Sequence, residues 1–224
     1  MNTEREDLLS EQAYRQIKRL IVSLELEPGS IVRESELTET LGFGRTPLRE
    51  ALLRLSLEGL VDIIPRQGIF VAQIAISDLQ HLFEVRIPLE SLAARLAAAR
   101  GRARHWQQMR EALAAISAAT EGVSNTDLIR VDEQCHRIMY QATDNEFLER
   151  AATTLYSSSL RLWYYFLSEI GDMREAVVEH ELILEALAAG DGERAAILIE
   201  KHIRAFHREI QAAIGASPSV VGGI

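Results

Sequence analysis

From Ser10 onward, apolar residues recur three and four places apart: Ala13, Ile17, Leu20, Ile21 and Leu24. That spacing puts them on one face of an α-helix. Glu27-Pro28-Gly29-Ser30 carries turn chemistry and ends the run. The residues before Ser10 are polar and are expected to fray. A short helix follows from Glu34 to Leu41, with Leu37 and Leu41 inward, and then the turn Gly42-Phe43-Gly44. The next helix is expected from Pro47 to about Glu58. Leu48, Ala51, Leu52 and Leu55 form its buried stripe, Thr46 suits its N-cap, and Gly59 ends it. The period then changes. Leu60–Ile64 and Ile69–Ala72 are short β-type runs, and Pro65-Arg66-Gln67-Gly68 joins them as a hairpin tip. Three helices and a two-stranded ribbon make a winged helix-turn-helix.

After a linker from Ala72 to Ser77, every signal is helical. Asp78 to Arg100 carries Leu79, Leu82, Phe83, Leu89, Leu92, Ala93 and Leu96 at helical spacing. Pro88 lies within it and predicts a kink or a lost hydrogen bond. Further helices are expected over 105–119, 126–143, 145–167, 172–189 and 192–213. The breaks between them fall at Gly101, Glu121-Gly122, Asp144-Asn145, Gly171 and Gly190-Asp191-Gly192. The expected fold is therefore mostly α. A winged helix-turn-helix spans 8–73, and an all-helical antiparallel bundle of about six helices spans 77–214. The tail from Gly215 to Ile224 reads as disordered.

Composition narrows the function classes. With 47% hydrophobic residues in 224, the chain can bury substantial cores. No apolar run approaches the roughly 18 residues of a membrane span, and no basic-plus-apolar secretory signal opens the chain. Cys135 is the single cysteine, so an internal disulfide framework is excluded. A cytoplasmic protein without a membrane partner is expected. The formal net charge of −9 argues against non-specific nucleic-acid binding. Even residues 1–75 hold 9 Lys and Arg against 12 Asp and Glu. A DNA-binding reading must therefore rest on local placement. Arg33, Arg45, Arg49, Arg54 and Arg66 fall around the third helix, and Arg45 and Arg49 lie one turn apart at its start. Free N–H groups and the positive dipole end converge there, as an element aimed at DNA requires. The competing reading is a capped amphipathic helix with solvated arginines, Arg54 among them.

The second region carries a different chemistry. Asp132 and His136 are four apart on one helix face, and His180 and His202 lie among apolar residues on two later helices. These residues leave two readings open: a shared metal site with one or two open positions, or histidines satisfied in a core. A third possibility is a helical metal-dependent enzyme, because Glu133-x-x-His136 matches half of a di-iron bundle motif. The motif has no second copy, since Val177 and Ile199 stand where the further glutamates would be. Arg86 sits on an apolar face, where it needs an acidic partner such as Glu84 or Glu90.

Longer patterns add a resemblance. The first is carried by Pro28-Gly29, Glu34-x-Glu36-Leu37, Leu41-Gly42, Arg45-Thr46-Pro47-Leu48-Arg49-Glu50-Ala51-Leu52, Glu58-Gly59-Leu60-Val61 and Arg66-x-Gly68-x-Phe70-Val71. Over 28–71 the chain resembles the DNA-binding domain of the GntR family of bacterial transcription regulators. The resemblance implies operator contacts from Arg45, Thr46 and Arg49 and a minor-groove approach by Gly68; Arg33 and Arg66 are DNA-contact candidates by their placement around the third helix. Gly44 stands where the family usually has Ser, and Ser35 where an Arg is common. Over 79–213 the chain resembles the FCD effector domain of the FadR-type subfamily. That match is carried by Glu84-Val85-Arg86, Leu89-Glu90, Asp132-x-x-x-His136-Arg137, Asn145-x-x-Leu148, Glu179-His180 and His202. It implies a divalent metal (Zn, Ni or Mn) on Asp132, His136, His180 and His202, and an organic acid effector held by Arg86. It also implies a homodimer, acting as a repressor on double-stranded operator DNA.

Overall fold

The computed structural model describes residues 2–117, 122–169 and 173–216. The expected helix end at Ala119, the breaks at Glu121 and Gly171, the helix start at Asp172 and the tail beyond Ala216 lie outside these residues. The chain forms two compact units. One comprises the residues up to 76 together with 160–165, and the other comprises 77–159 and the described residues from 166 onward.

In the first unit, α1 (Asn2–Val22) begins well before Ser10. The polar start, expected to fray, is part of this helix. The helix also ends earlier than its apolar spacing suggests. Leu24 has left it with φ of 61°, and its N–H bonds to the Ile21 carbonyl. Next come α2 (Glu34–Leu41) and α3 (Arg45–Leu57), joined through Gly42. Gly42 has φ of 75° and donates its N–H to Thr38, a left-handed helix end that glycine takes without strain. Strands β1 (Val61–Ile64) and β2 (Gly68–Val71) pair antiparallel, with Val61 opposite Val71 and Ile64 opposite Gly68. Ile31 adds an isolated bridge to Phe70. Ile17, Ile21, Leu48, Leu52, Leu55, Leu60 and Val71 make one core beneath α3 and the ribbon. This is the winged helix-turn-helix that the hydrophobic pattern predicts.

The second unit is helical throughout its described residues. It contains α4 (Leu79–Arg100), α5 (Ala103–Ser117), α6 (Asn125–Ala142), most of α7 (Glu146–Tyr165), α8 (Arg174–Ala188) and α9 (Gly192–Ala216). α4 runs through Pro88 as one helix, and α9 extends through Gly215, past the expected end at Ala213. Its closest partner is α9, whose first residue touches it. A Cβ on Gly192 would lie 3.2 Å from the Arg95 Cα, so a side chain there would push the helices apart. Ser124 caps α6 by accepting the Asp127 N–H at 3.2 Å. The buried face of α6 mixes Leu128, Ile129, Cys135 and Met139 with Asp132 and His136. Of the apolar residues expected inward on α4, Leu92 is exposed, as is Val85 beside it.

A candidate metal centre and an exposed helix start

Three helices bring four polar side chains to one point in the second unit. Asp132 and His136 come from α6, His180 from α8 and His202 from α9, and all four are buried. One ligand atom from each can be chosen so that all lie within 4.8 Å of one another. The imidazoles turn the same nitrogen inward. Asp132 Oδ1 lies 3.1 Å from His202 Nε2 and 3.6 Å from His180 Nε2, and Asp132 Oδ2 lies 3.8 Å from His136 Nε2. His136 Nε2 is buried with no hydrogen-bond partner among the described residues. A hydrocarbon core would leave that atom unsatisfied, whereas a cation would use its lone pair. Three imidazoles and a carboxylate, converging in this way, could hold a divalent ion of the Zn, Ni or Mn type.

The electrostatics agree. Burial works against the Asp132 carboxylate, but the three histidines outweigh it and hold its pKa far below the usual range. Burial likewise disfavours the His202 imidazolium, yet hydrogen bonds to Asp132 and Glu179 raise its pKa to about 9. Without a metal, a proton on His202 is the charge that the cluster favours. A cation bound there would replace that proton.

A second layer stands behind the four, and sequence reasoning missed most of it. Glu90 Oε2 lies 2.6 Å from His136 Nδ1, and Glu179 Oε2 lies 3.1 Å from His202 Nδ1. Tyr156 donates its hydroxyl to Asp132 Oδ2. Glu90 could have been found, since it is a carboxylate on the apolar face of α4, one turn from Arg86. Tyr156 gave no signal, because a tyrosine on an amphipathic helix is ordinary core.

Arg86 is fully enclosed. Its Nε donates to Glu90 Oε1, and its guanidinium faces the rings of Tyr156 at 4.9 Å and of Phe83 and Phe206 at 5.8 Å each. Burial opposes the Glu90 carboxylate, but Arg86 and His136 bring its pKa down to about 2. Glu84, the other partner considered, is exposed and accepts instead from Gln80 at 3.0 Å.

In the first unit, Arg45, Thr46 and Arg49 are all exposed at the start of α3, while Pro47 and Leu48 turn inward. Thr46 is not the N-cap. Gly44 holds that place, with extended φ and ψ of −69° and 169°, and no side chain caps the helix. The helix begins two residues before Pro47, which still lies in the first turn, where its missing N–H costs nothing. Arg49 pairs with Glu34 at 2.9 Å, and Arg33 with Glu36 at 2.8 Å. At the hairpin tip, Arg66 takes the left-handed φ of 64° and Gly68 a φ of 129°. Arg54 is exposed, as a solvated charge would be, and it also bonds Glu11 at 2.6 Å and stacks 3.6 Å above the Tyr14 ring, tying α3 to α1.

Comparison with known proteins gives these two parts a context. Residues 9–71 match the model of bacterial regulatory proteins of the gntR family, and residues 81–205 match the FCD domain. The chain is 32% identical to the "Probable D-xylose utilization operon transcriptional repressor" of Paenarthrobacter nicotinovorans, over 80% of this chain and 78% of that protein. It is 24% identical to the HTH-type transcriptional repressor RspR of Escherichia coli, over 91% of this chain and 89% of that protein. Among solved structures, E. coli McbR/YncC superposes with a TM-score of 0.81 at 24% identity, covering 91% of this chain and 97% of that chain. These named relatives regulate transcription, and the metal-dependent enzyme reading has no support among them.

Proposed function

The chain belongs to the gntR family of bacterial regulatory proteins, in the FadR-like branch that carries a C-terminal FCD domain, and we propose that it is a cytoplasmic repressor released from its operator by a small organic acid. The observation that carries the effector reading is the buried Asp132, His136, His180 and His202 cluster with His136 Nε2 unsatisfied. A divalent ion there would supply an open coordination position for one carboxylate oxygen. Arg86 is one carboxylate removed from His136, through Glu90, and its planar guanidinium suits the effector's carboxylate. In this structure Glu90 holds Arg86, so a ligand has to take over from an internal carboxylate.

At the other end, Arg45, Thr46 and Arg49 read base edges, with Arg33, Arg66 and Gly68 positioning the domain on the backbone. Two copies of the chain read a two-fold operator. Effector and operator are then linked by a coupling free energy, so each lowers the affinity for the other. The repressor assignment follows two relatives that are described as repressors.

A gel-shift titration on the DNA upstream of the protein's own gene tests this reading. Metal-loaded protein should shift that DNA, and one member of a panel of mono- and dicarboxylates should reverse the shift. Chelator-treated protein should lose the response to that acid while still shifting the DNA. Protein that carries no metal, takes up none of Zn, Ni or Mn, and ignores every acid overturns the effector reading.

A further inference from the structure

We propose that Glu90 is a positioning residue for the metal centre: its carboxylate fixes the tautomer and the ring orientation of His136, so that Nε2 is presented to the ion. The inference rests on reading Asp132, His136, His180 and His202 as one metal site. It assigns a task to a residue outside that set.

Glu90 is completely buried on α4, where an ionised carboxylate is costly unless each oxygen is engaged. Oε1 accepts from Arg86 Nε. Oε2 makes no hydrogen bond of ordinary geometry, but it lies 2.6 Å from His136 Nδ1, and a hydrogen on that atom can satisfy it. An ionised carboxylate can only accept, so the hydrogen between them belongs to Nδ1. A neutral imidazole carries one ring hydrogen. With it on Nδ1, Nε2 keeps its lone pair, and Nε2 is the atom facing Asp132 at 3.8 Å without a hydrogen bond.

The Tyr140 hydroxyl also approaches Nδ1, at 3.3 Å, and as a donor it would favour the opposite tautomer. The Glu90 carboxylate is closer and carries a full negative charge, which favours the hydrogen on Nδ1. His202 has the same arrangement with Glu179 at its Nδ1, but Glu179 is partly exposed and shared with Lys201 at 3.0 Å. Glu90 has no solvent to dilute its effect, and Arg86 holds it in place in turn. The chain Arg86–Glu90–His136 thus joins α4 to the ligand set on α6.

The test uses the full chain, with Zn as the probe. Glu90→Leu alone would strand the buried Arg86, so the double variant R86M/E90L, which removes both charges, carries the comparison. Zn affinity is read by competition with a chromophoric chelator, and the His136 tautomer by ¹⁵N NMR of the metal-free protein. The double variant should bind Zn roughly 10–100-fold more weakly than wild type, and His136 should lose its Nδ1–H preference. Arg86→Met alone, which keeps the Glu90 acceptor, should lose less affinity and retain the Nδ1–H form. Wild-type affinity together with an unchanged tautomer in R86M/E90L would overturn the inference. Wild type that binds no Zn would instead sink the metal reading. The tautomer comparison in metal-free protein would then still decide whether Glu90 orients His136.

Discussion

A charge inside a helical bundle is only as stable as its neighbours allow, and the Arg86–Glu90 pair is the clearest case here. Both side chains are almost wholly buried, so neither can turn to water if the other is removed. Arg86→Ala should therefore cost about 3–5 kcal/mol in urea unfolding of the metal-free protein, well above a surface substitution. A loss under about 1 kcal/mol would show that water reaches Glu90.

His202 gives a prediction with a sign. Its folded pKa is raised from 6.5 to about 9, so in metal-free protein its protonation stabilises the fold fully below about pH 6.5. That contribution is lost as pH rises through about 9. Thermal melts of chelated protein should thus fall between pH 6.5 and 9, and His202→Gln should flatten the fall. Saturating Zn should remove this dependence over the upper part of the range, because the ion then occupies the place of the proton. A melt curve that falls equally with and without Zn would show that His202 is not a ligand.

At the scale of elements, the apolar period located the helices and the ribbon, because each unit buries one face of nearly every element. Leu48, Ala51, Leu52 and Leu55 are all buried, as their spacing requires. Boundaries were less legible. Thr46 has the chemistry of an N-cap, but the turn through Gly42 lets the helix start at Arg45, with Gly44 as the cap residue. The centre at Asp132 and the three histidines was legible as residue types at helical positions. Its convergence depends on how α6, α8 and α9 pack, which no local pattern encodes. Tyr156 and the role of Glu90 stayed hidden for the same reason.

The reading helix also shows what spacing could not. Arg49 is free of the core but is engaged by Glu34 of α2. An exposed pair of this kind is worth roughly 0–1 kcal/mol, so DNA can replace it cheaply. Arg49→Ala should weaken operator binding by about 1–3 kcal/mol and flatten base preference, measured by gel shift at fixed salt. Glu34→Gln should tighten binding, since it replaces the charged acceptor that competes for Arg49 with a weaker neutral one and removes a negative charge near the DNA. Weaker binding by Glu34→Gln would mean that Glu34 holds Arg49 in its reading position instead of competing for it.

For the whole molecule, charge and size set the mode of recognition. A chain of net charge −9 gains little from general attraction to DNA, so its affinity must come from a few placed contacts. A single α3 reads only a few base pairs, too few to select one site in a genome. Two copies bound to half-sites one or more helical turns apart (about 34 Å each) meet the requirement. The FCD unit offers a surface for pairing them. On α4, Val85 and Leu92 are exposed, while Leu82, Leu89 and Leu96 are half-buried. Their positions alternate three and four apart, which is the seam of two paired helices. Leu92 also breaks the simple inward stripe that the sequence suggests, and a second copy would give it and Val85 a partner. Sedimentation equilibrium at micromolar concentration should therefore show a dimer, both alone and on operator DNA. Leu92→Glu should shift it toward monomer and weaken operator binding, while leaving Zn uptake by Asp132 and the histidines unchanged, because Leu92 points away from the buried centre. A wild-type protein that sediments as a monomer in both states would require one winged helix to select its operator alone. A dimer unaffected by Leu92→Glu would place the pairing surface elsewhere on the FCD unit.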